Sequence, residues 1–128
     1  MSISKITPIL VVESVEANLP FWSEQMGYEI VHTVPHNKDI GFAILKKGES
    51  EIMIQSSASA SEDLRIPEAH RPGTVVLYAD VDSVDKALKS NRDGEVLIAK
   101  RKTDYGATEA WIKTPSGTIL GLAEFAKK

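Results

Sequence analysis

The chain contains no cysteine. That excludes a disulfide framework, a thiol nucleophile and a zinc site with sulfur ligands, and leaves open any site built from histidine and carboxylates. No apolar run approaches the roughly 18 residues needed to cross a bilayer. The opening MSISKITPIL lacks the basic start, long apolar stretch and small-residue cleavage site of a signal peptide. The expected compartment is therefore the cytoplasm, with no membrane partner. Net charge is small: 15 Lys and Arg against 18 Asp and Glu leave −3, which argues against a nucleic-acid partner and permits a cationic small molecule. Histidine is limited to His32, His36 and His70, each expected on a second strand or a loop. There is no Gly-rich phosphate loop, and no serine in a nucleophile-elbow context.

What is present is a repeat. VESVEANL at 12–19 returns as VDSVDKAL at 81–88, an offset of 81 − 12 = 69 residues. Val12, Ser14, Val15 and Leu19 recur as Val81, Ser83, Val84 and Leu88, and Gly48/Gly117 and Phe42/Trp111 keep the same spacing. In the first copy, β-branched residues at 6–12 predict a strand, and Ser14 caps a helix carrying Val15, Leu19, Trp22 and Met26 and closed by Gly27. Pro20 is costly beyond the first turn, so that helix either kinks there or starts at Asn18. Strands are predicted at 28–34, 40–45 and 51–55. The second copy repeats the order, with strands at 74–81, 95–100, 108–113 and 118–124 and a helix from Ser83. The polar, proline-punctuated stretch 56–73 reads as a connection. The fold class is α+β: two βαβββ units, 1–56 and 74–128, joined by a loop at 57–73 within one compact domain.

Two stretches carry a family likeness. YGATEAWIKTPSGTILGLAE at 105–124 resembles the pattern Y-G-x-R-E-F-x-x-x-D-P-x-G-N through Tyr105, Gly106, Glu109, Pro115 and Gly117, and departs from it at Thr108, Ala110, Thr114 and Thr118. PILVVESVEANLPFWSEQMGY at 8–28 resembles the opening of bleomycin resistance proteins through Pro8, Leu10, Val15, Phe21, Trp22 and Gly27. The chain thus resembles the vicinal oxygen chelate superfamily of glyoxalases, extradiol dioxygenases and bleomycin resistance proteins. The resemblance implies a curved mixed sheet with a concave cavity, a homodimer completing that cavity, and exchange of an N-terminal strand from a hinge near Pro8. It also implies a divalent metal held by inward His, Gln or Glu side chains from the first and last strands of each unit. Those positions fall on Thr7, Met53, Val76 and Gly121, none of which brings an imidazole or a carboxylate. A catalytic metal needs about three such ligands, so the expectation is no metal and no other cofactor.

Alternation along the strands predicts the two faces. Leu10, Val12, Ile52, Ile54, Leu77, Val81, Leu120 and Leu122 pack under the helices. The opposite face carries Thr7, Ile9, Val11, Val76, Asp80, Ile119, Ala123 and the candidate ligand-binding residues Glu51, Met53, Gln55 and Tyr78. Phe42, Glu109 and Trp111 are assigned to that face, which is read as the wetter, concave one, and Tyr105 to its rim. Aromatic walls with a few carboxylates suit a planar aromatic or cationic ligand. The expected function is sequestration of a drug or metabolite, as in bleomycin resistance proteins, without catalytic residues. The alternative is a glyoxalase- or dioxygenase-like lyase, isomerase or oxygenase with a divalent metal on relocated ligands or working without metal, Glu51 or Glu109 acting as base.

Overall fold

The computed structural model describes residues 1–126; Lys127 and Lys128, which end the second predicted unit, lie outside the described residues. The fold is α+β, with eight strands and three short α-helices among the described residues. In sequence order come β1 (Ile3–Val12), α1 (Val15–Pro20), β2 (Glu29–His36), β3 (Asp39–Lys47) and β4 (Ser50–Ser56). After α2 (Ser57–Asp63) the pattern repeats as β5 (Val75–Val81), α3 (Val84–Ser90), β6 (Glu95–Lys102), β7 (Ala107–Lys113) and β8 (Ile119–Phe125). This is the predicted βαβββ order, twice.

The contacts group into two compact units, Pro8–Val75 and Met1–Thr7 with Val76–Lys128. The first seven residues therefore fold with the second repeat, and the change falls at Pro8. Ser2 anchors that segment: its N–H donates to Asp82 Oδ1 at 2.6 Å, and Asp82 N–H donates back to the Ser2 carbonyl. The Ser2 N–H holds the exposed Asp82 carboxyl below its ordinary value.

In the Pro8–Val75 unit the strand order is β2-β3-β4-β1, with β1 parallel to β4 and the other pairs antiparallel. Val15 from α1 packs on Ala43, Leu45, Ile52 and Ile54, with Leu10, Val12, Leu19 and Trp22 around them. Ser14 caps α1 by accepting the Ala17 N–H, so the helix does not wait until Asn18. It passes into a π-helical turn at Phe21–Gln25 directly after Pro20. Proline has no N–H to give the carbonyl four residues back, and the wider turn absorbs the gap. Gly27, at φ 81°, ends the segment as expected.

The connection holds the largest departure from the sequence reading. It is not simply loop: α2 forms over Ser57–Asp63, and a 3-10 turn over Pro67–Ala69. Ser56 caps α2 by accepting the Ser59 N–H, while Ala60, Leu64, Ile66 and Ala69 are buried. Serine competes with the backbone inside helices yet is favoured at N-caps, so one well-placed serine outweighs a poor composition.

The other unit repeats the arrangement. Its order is β5-β8-β7-β6, with β5 parallel to β8. Val84 and Ala87 of α3 pack on Ala79, Val81, Ala110, Ile112 and Leu122. Ser83 caps α3 through the Lys86 N–H, and Glu124 Oε1 accepts the Val84 N–H at 2.9 Å. The predicted helix-side face thus packs against the helix in both repeats.

Replacing Ser56 with Ala is expected to lower stability by about 1 kcal/mol and to speed hydrogen exchange at the Ser59 amide. A urea denaturation curve with unchanged slope and an exchange experiment on the same variant check both.

Candidate functional site

The register of the two parallel pairs tests where the metal-ligand positions lie. Ile9 pairs with Met53 and Tyr78 with Gly121; since 78 − 9 = 69, Met53 and Gly121 are structural counterparts, as predicted. From β1 to β3 the first repeat takes 44 − 9 = 35 residues to reach Ile44, the Met53 partner, against 111 − 78 = 33 to Trp111, the Gly121 partner. Across the hairpin it takes 53 − 44 = 9 residues against 121 − 111 = 10. The first hairpin is the tighter one, turning on Gly48 at φ 59°, and the extra residues precede β3. Trp111 therefore corresponds to Ile44, not to Phe42. The constant offset holds only through the octet.

Within the Pro8–Val75 unit, Phe42 pairs with Gln55, Ile44 with Met53 and Lys46 with Glu51. Phe42, Glu51, Met53 and Gln55 therefore share one half-buried face, away from α1. Lys46 Nζ lies 3.3 Å from Glu51 Oε1, and Gln55 Nε2 donates to Ser59 Oγ on α2. His36 reaches Glu62 at 3.7 Å, and the His70 ring bonds the Leu64 carbonyl. These two imidazoles act as local ties of the connecting segment.

In the other unit a single carboxylate gathers the remaining candidates. Glu109 is fully buried, 0% exposed. Its Oε1 accepts Arg101 Nε at 2.9 Å, Arg101 Nη2 at 2.8 Å and the indole N–H of Trp111 at 3.0 Å. Its Oε2 accepts the phenol of Tyr78 at 2.5 Å and the phenol of Tyr105. A buried carboxylate costs several kcal/mol unless its lone pairs are met, and here four side chains meet them. The strand order explains how they reach. Tyr78 on β5 and Glu109 on β7 flank β8, which offers only Gly121 and Ala123 between them. Gly121 has an ordinary backbone; what it supplies is space, because a Cβ there would lie 2.6, 2.7 and 2.9 Å from three carbons of the Trp111 ring. The Tyr78 and Trp111 rings sit 5.9 Å apart at 41°.

The expectation of a wet face fails at this point, since Trp111 is 2% exposed and Tyr78 is buried as well. A carboxylate on an alternating strand suggests water, but this one is paired with Arg101 and hydrogen-bonded through both oxygens. Arg101 is the residue the sequence reading missed. It sat in a presumed loop, whereas β6 extends to Lys102 and pairs Arg101 with Glu109; a basic residue opposite a carboxylate in a hairpin is the signal that would have found it. Tyr105, by contrast, is 54% exposed. It comes from the β6–β7 hairpin loop, shaped by Thr103 Oγ1 accepting the Ala107 N–H and by Gly106 at φ 87°. Burial, and then the Glu109 carboxylate, hold the Tyr78 phenol far above the ordinary phenol range.

The four metal-ligand positions do not fit a divalent ion. Thr7, Met53, Val76 and Gly121 offer one hydroxyl and one thioether, and Trp111 fills the space into which a side chain at 121 would project. No group of three His, Asp or Glu side chains able to hold a metal occurs among the described residues.

Residues 3–122 match the family model described as the glyoxalase/bleomycin resistance protein/dioxygenase superfamily. No curated protein matches the sequence. Among solved structures, a hypothetical protein from Bacillus halodurans is similar with TM-score 0.74 and 16% identity, covering 100% of this chain and 98% of that one. A superfamily member from Vibrio splendidus gives 0.70 and 15%, covering 96% and 99%. A methylmalonyl-CoA epimerase of Streptomyces coelicolor in complex with 2-nitronate-propionyl-CoA gives 0.70 and 18%, covering 98% and 96%. At these identities the likeness is one of fold.

Gly121→Ala is expected to destabilise the protein by about 1–3 kcal/mol through overpacking against Trp111, and the same substitution made in a Trp111→Leu background should cost much less, because the ring it meets is gone. Chemical denaturation of the two single variants and the double variant measures that coupling. The raised Tyr78 pKa gives a second expectation. The folded chain keeps a proton that the unfolded chain releases above about pH 10, so the stabilisation is complete below that pH and falls away as pH rises beyond it. Tyr78→Phe should lower Tm at neutral pH and flatten its alkaline decline, as a pH series of melting curves would record.

Proposed function

Since the chain belongs to the glyoxalase/bleomycin resistance protein/dioxygenase superfamily, we propose that it is a ligand-sequestering member of the bleomycin resistance type, working without metal or other cofactor. The observation that carries this reading is the substitution at the four ligand positions together with the indole of Trp111 lying against Gly121. A Lewis-acid site would need imidazole or carboxylate there. What these units offer is surface suited to a planar aromatic or cationic molecule. One is the half-buried face of Phe42, Glu51, Met53 and Gln55. The other is the set of Tyr78, Tyr105 and Trp111 around Glu109.

The protein acts as a homodimer in the cytoplasm, its cavity completed by the second subunit, with the segment before Pro8 available for exchange between subunits. Support for self-association comes from β2, at the outer edge of its sheet, where Ile30, Val31 and Val34 are exposed. No helix among the described residues is long and apolar enough to cross a membrane.

Isothermal titration against a panel of planar aromatic and cationic compounds tests the reading. Saturable binding, recovery of the compound chemically unchanged and substoichiometric metal in the purified protein are the expected results. Stoichiometric metal that is lost on Glu51→Gln, or turnover of a bound compound, would overturn it in favour of an enzyme with relocated ligands.

A further inference from the structure

The four residues around Glu109 are not equivalent. Tyr78, Arg101 and Trp111 stand on β5, β6 and β7, where pairing fixes their backbones. Tyr105 stands on the hairpin loop, is more than half exposed, and is followed by Gly106 in the left-handed region. One lone-pair region of Oε2 is thus met by a strand donor and the other by a donor whose ring can leave without breaking a ladder hydrogen bond. Withdrawal of that ring uncovers an acceptor on a carboxylate that is otherwise buried, with the tilted rings of Tyr78 and Trp111 beside it.

We propose that Glu109 Oε2 is the seat of a neutral aromatic hydroxyl on the ligand, and that the Tyr105 phenol occupies this seat in cis and gives it up when the ligand binds. The inference rests on the binding reading above and names the ligand class for this set of residues: a hydroxyarene that enters with its O–H intact. The exchange is balanced, one phenol–carboxylate hydrogen bond for another, so the bond itself adds little net affinity and selects by chemistry. An arene without the hydroxyl leaves a buried carboxylate oxygen short of a donor, which costs more than the bond contributes when made. A phenolate is rejected because it brings a second negative charge to Glu109. That effect and burial are also what keep Tyr78 protonated. Arg101, bound to Oε1, balances Glu109 and leaves no charge for an anionic ligand. This polarity is opposite to that of a metal site, which favours the deprotonated ligand.

Tyr105 then acts as a built-in competitor. If the open loop makes up about a tenth of the population, apparent affinity is reduced about tenfold. Calorimetric titration of 4-methylphenol, with toluene as the hydroxyl-free control, into wild type, Tyr105→Ala and Tyr105→Phe tests the proposal. Both variants are exposed-loop substitutions that leave the strands intact. Expected are about tenfold tighter 4-methylphenol binding in Tyr105→Ala, a smaller gain in Tyr105→Phe, whose ring stays but cannot donate, and markedly weaker binding of toluene than of 4-methylphenol to Tyr105→Ala. With 4-nitrophenol, whose hydroxyl ionises near neutrality, affinity for Tyr105→Ala should fall as the pH is raised through neutrality. Unchanged or weaker 4-methylphenol binding in Tyr105→Ala, toluene binding to Tyr105→Ala as tightly as 4-methylphenol, or tighter binding of the phenolate would overturn the proposal. If wild type binds other planar aromatics while these results hold, the ligand class is wrong and the sequestration reading stands. If no aromatic compound binds any of the three proteins, both fail.

Discussion

A carboxylate buried in a β-sheet face has to find donors, and most of what is distinctive in this chain follows from how Glu109 finds them. The cost of burying the charge is several kcal/mol if left unmet. It is met by an arginine from the neighbouring strand, an indole two residues along the same strand, and phenols from β5 and from a hairpin loop. Each of those partners imposes its own constraint. Tyr78 can reach across β8 only if β8 is nearly bare, and Gly121 and Ala123 make it so. Trp111 can turn its ring over β8 only if residue 121 lacks a Cβ.

The same constraint bears on one of the expected metal-ligand positions. Position 121 is where the superfamily resemblance places a ligand, and a ligand there needs a long side chain pointing off the sheet. Here that direction is taken by Trp111, and Trp111 is held by the carboxylate. The Trp111 ring and a long side chain at 121 compete for one volume, so the two are not accommodated together. Thr7 and Val76 fit that picture, being buried and unable to coordinate as carboxylate or imidazole.

Much of the scaffold was legible beforehand because its signals are local. Ser14 and Ser83 cap the helices that their octets predict, Gly27 and Gly48 take the left-handed conformations their positions demand, and alternation separates Ile52 and Ile54 from Met53 and Gln55. The failures also have local causes. The serine-rich connection looked like loop by composition, yet a single cap at Ser56 and a few buried alanines and aliphatics order it. A constant offset pairs Phe42 with Trp111, and that offset fails once the spacings before β3 and across the hairpin differ.

By itself the sequence determined the repeat, the order of strands and helices, the helix-side face and the identities at the four metal positions, because caps, turns and periodicity act over a few residues. Tertiary structure alone decided what Glu109, Trp111 and Arg101 do. Glutamate beside tryptophan on an alternating strand reads as a wetted face. Whether it is wet or buried depends on which donors arrive from strands distant in sequence, and on whether the strand between them is small enough to let them meet. Those are facts of register across β5, β8, β7 and β6, and register is set by pairing rather than by any short stretch of the chain.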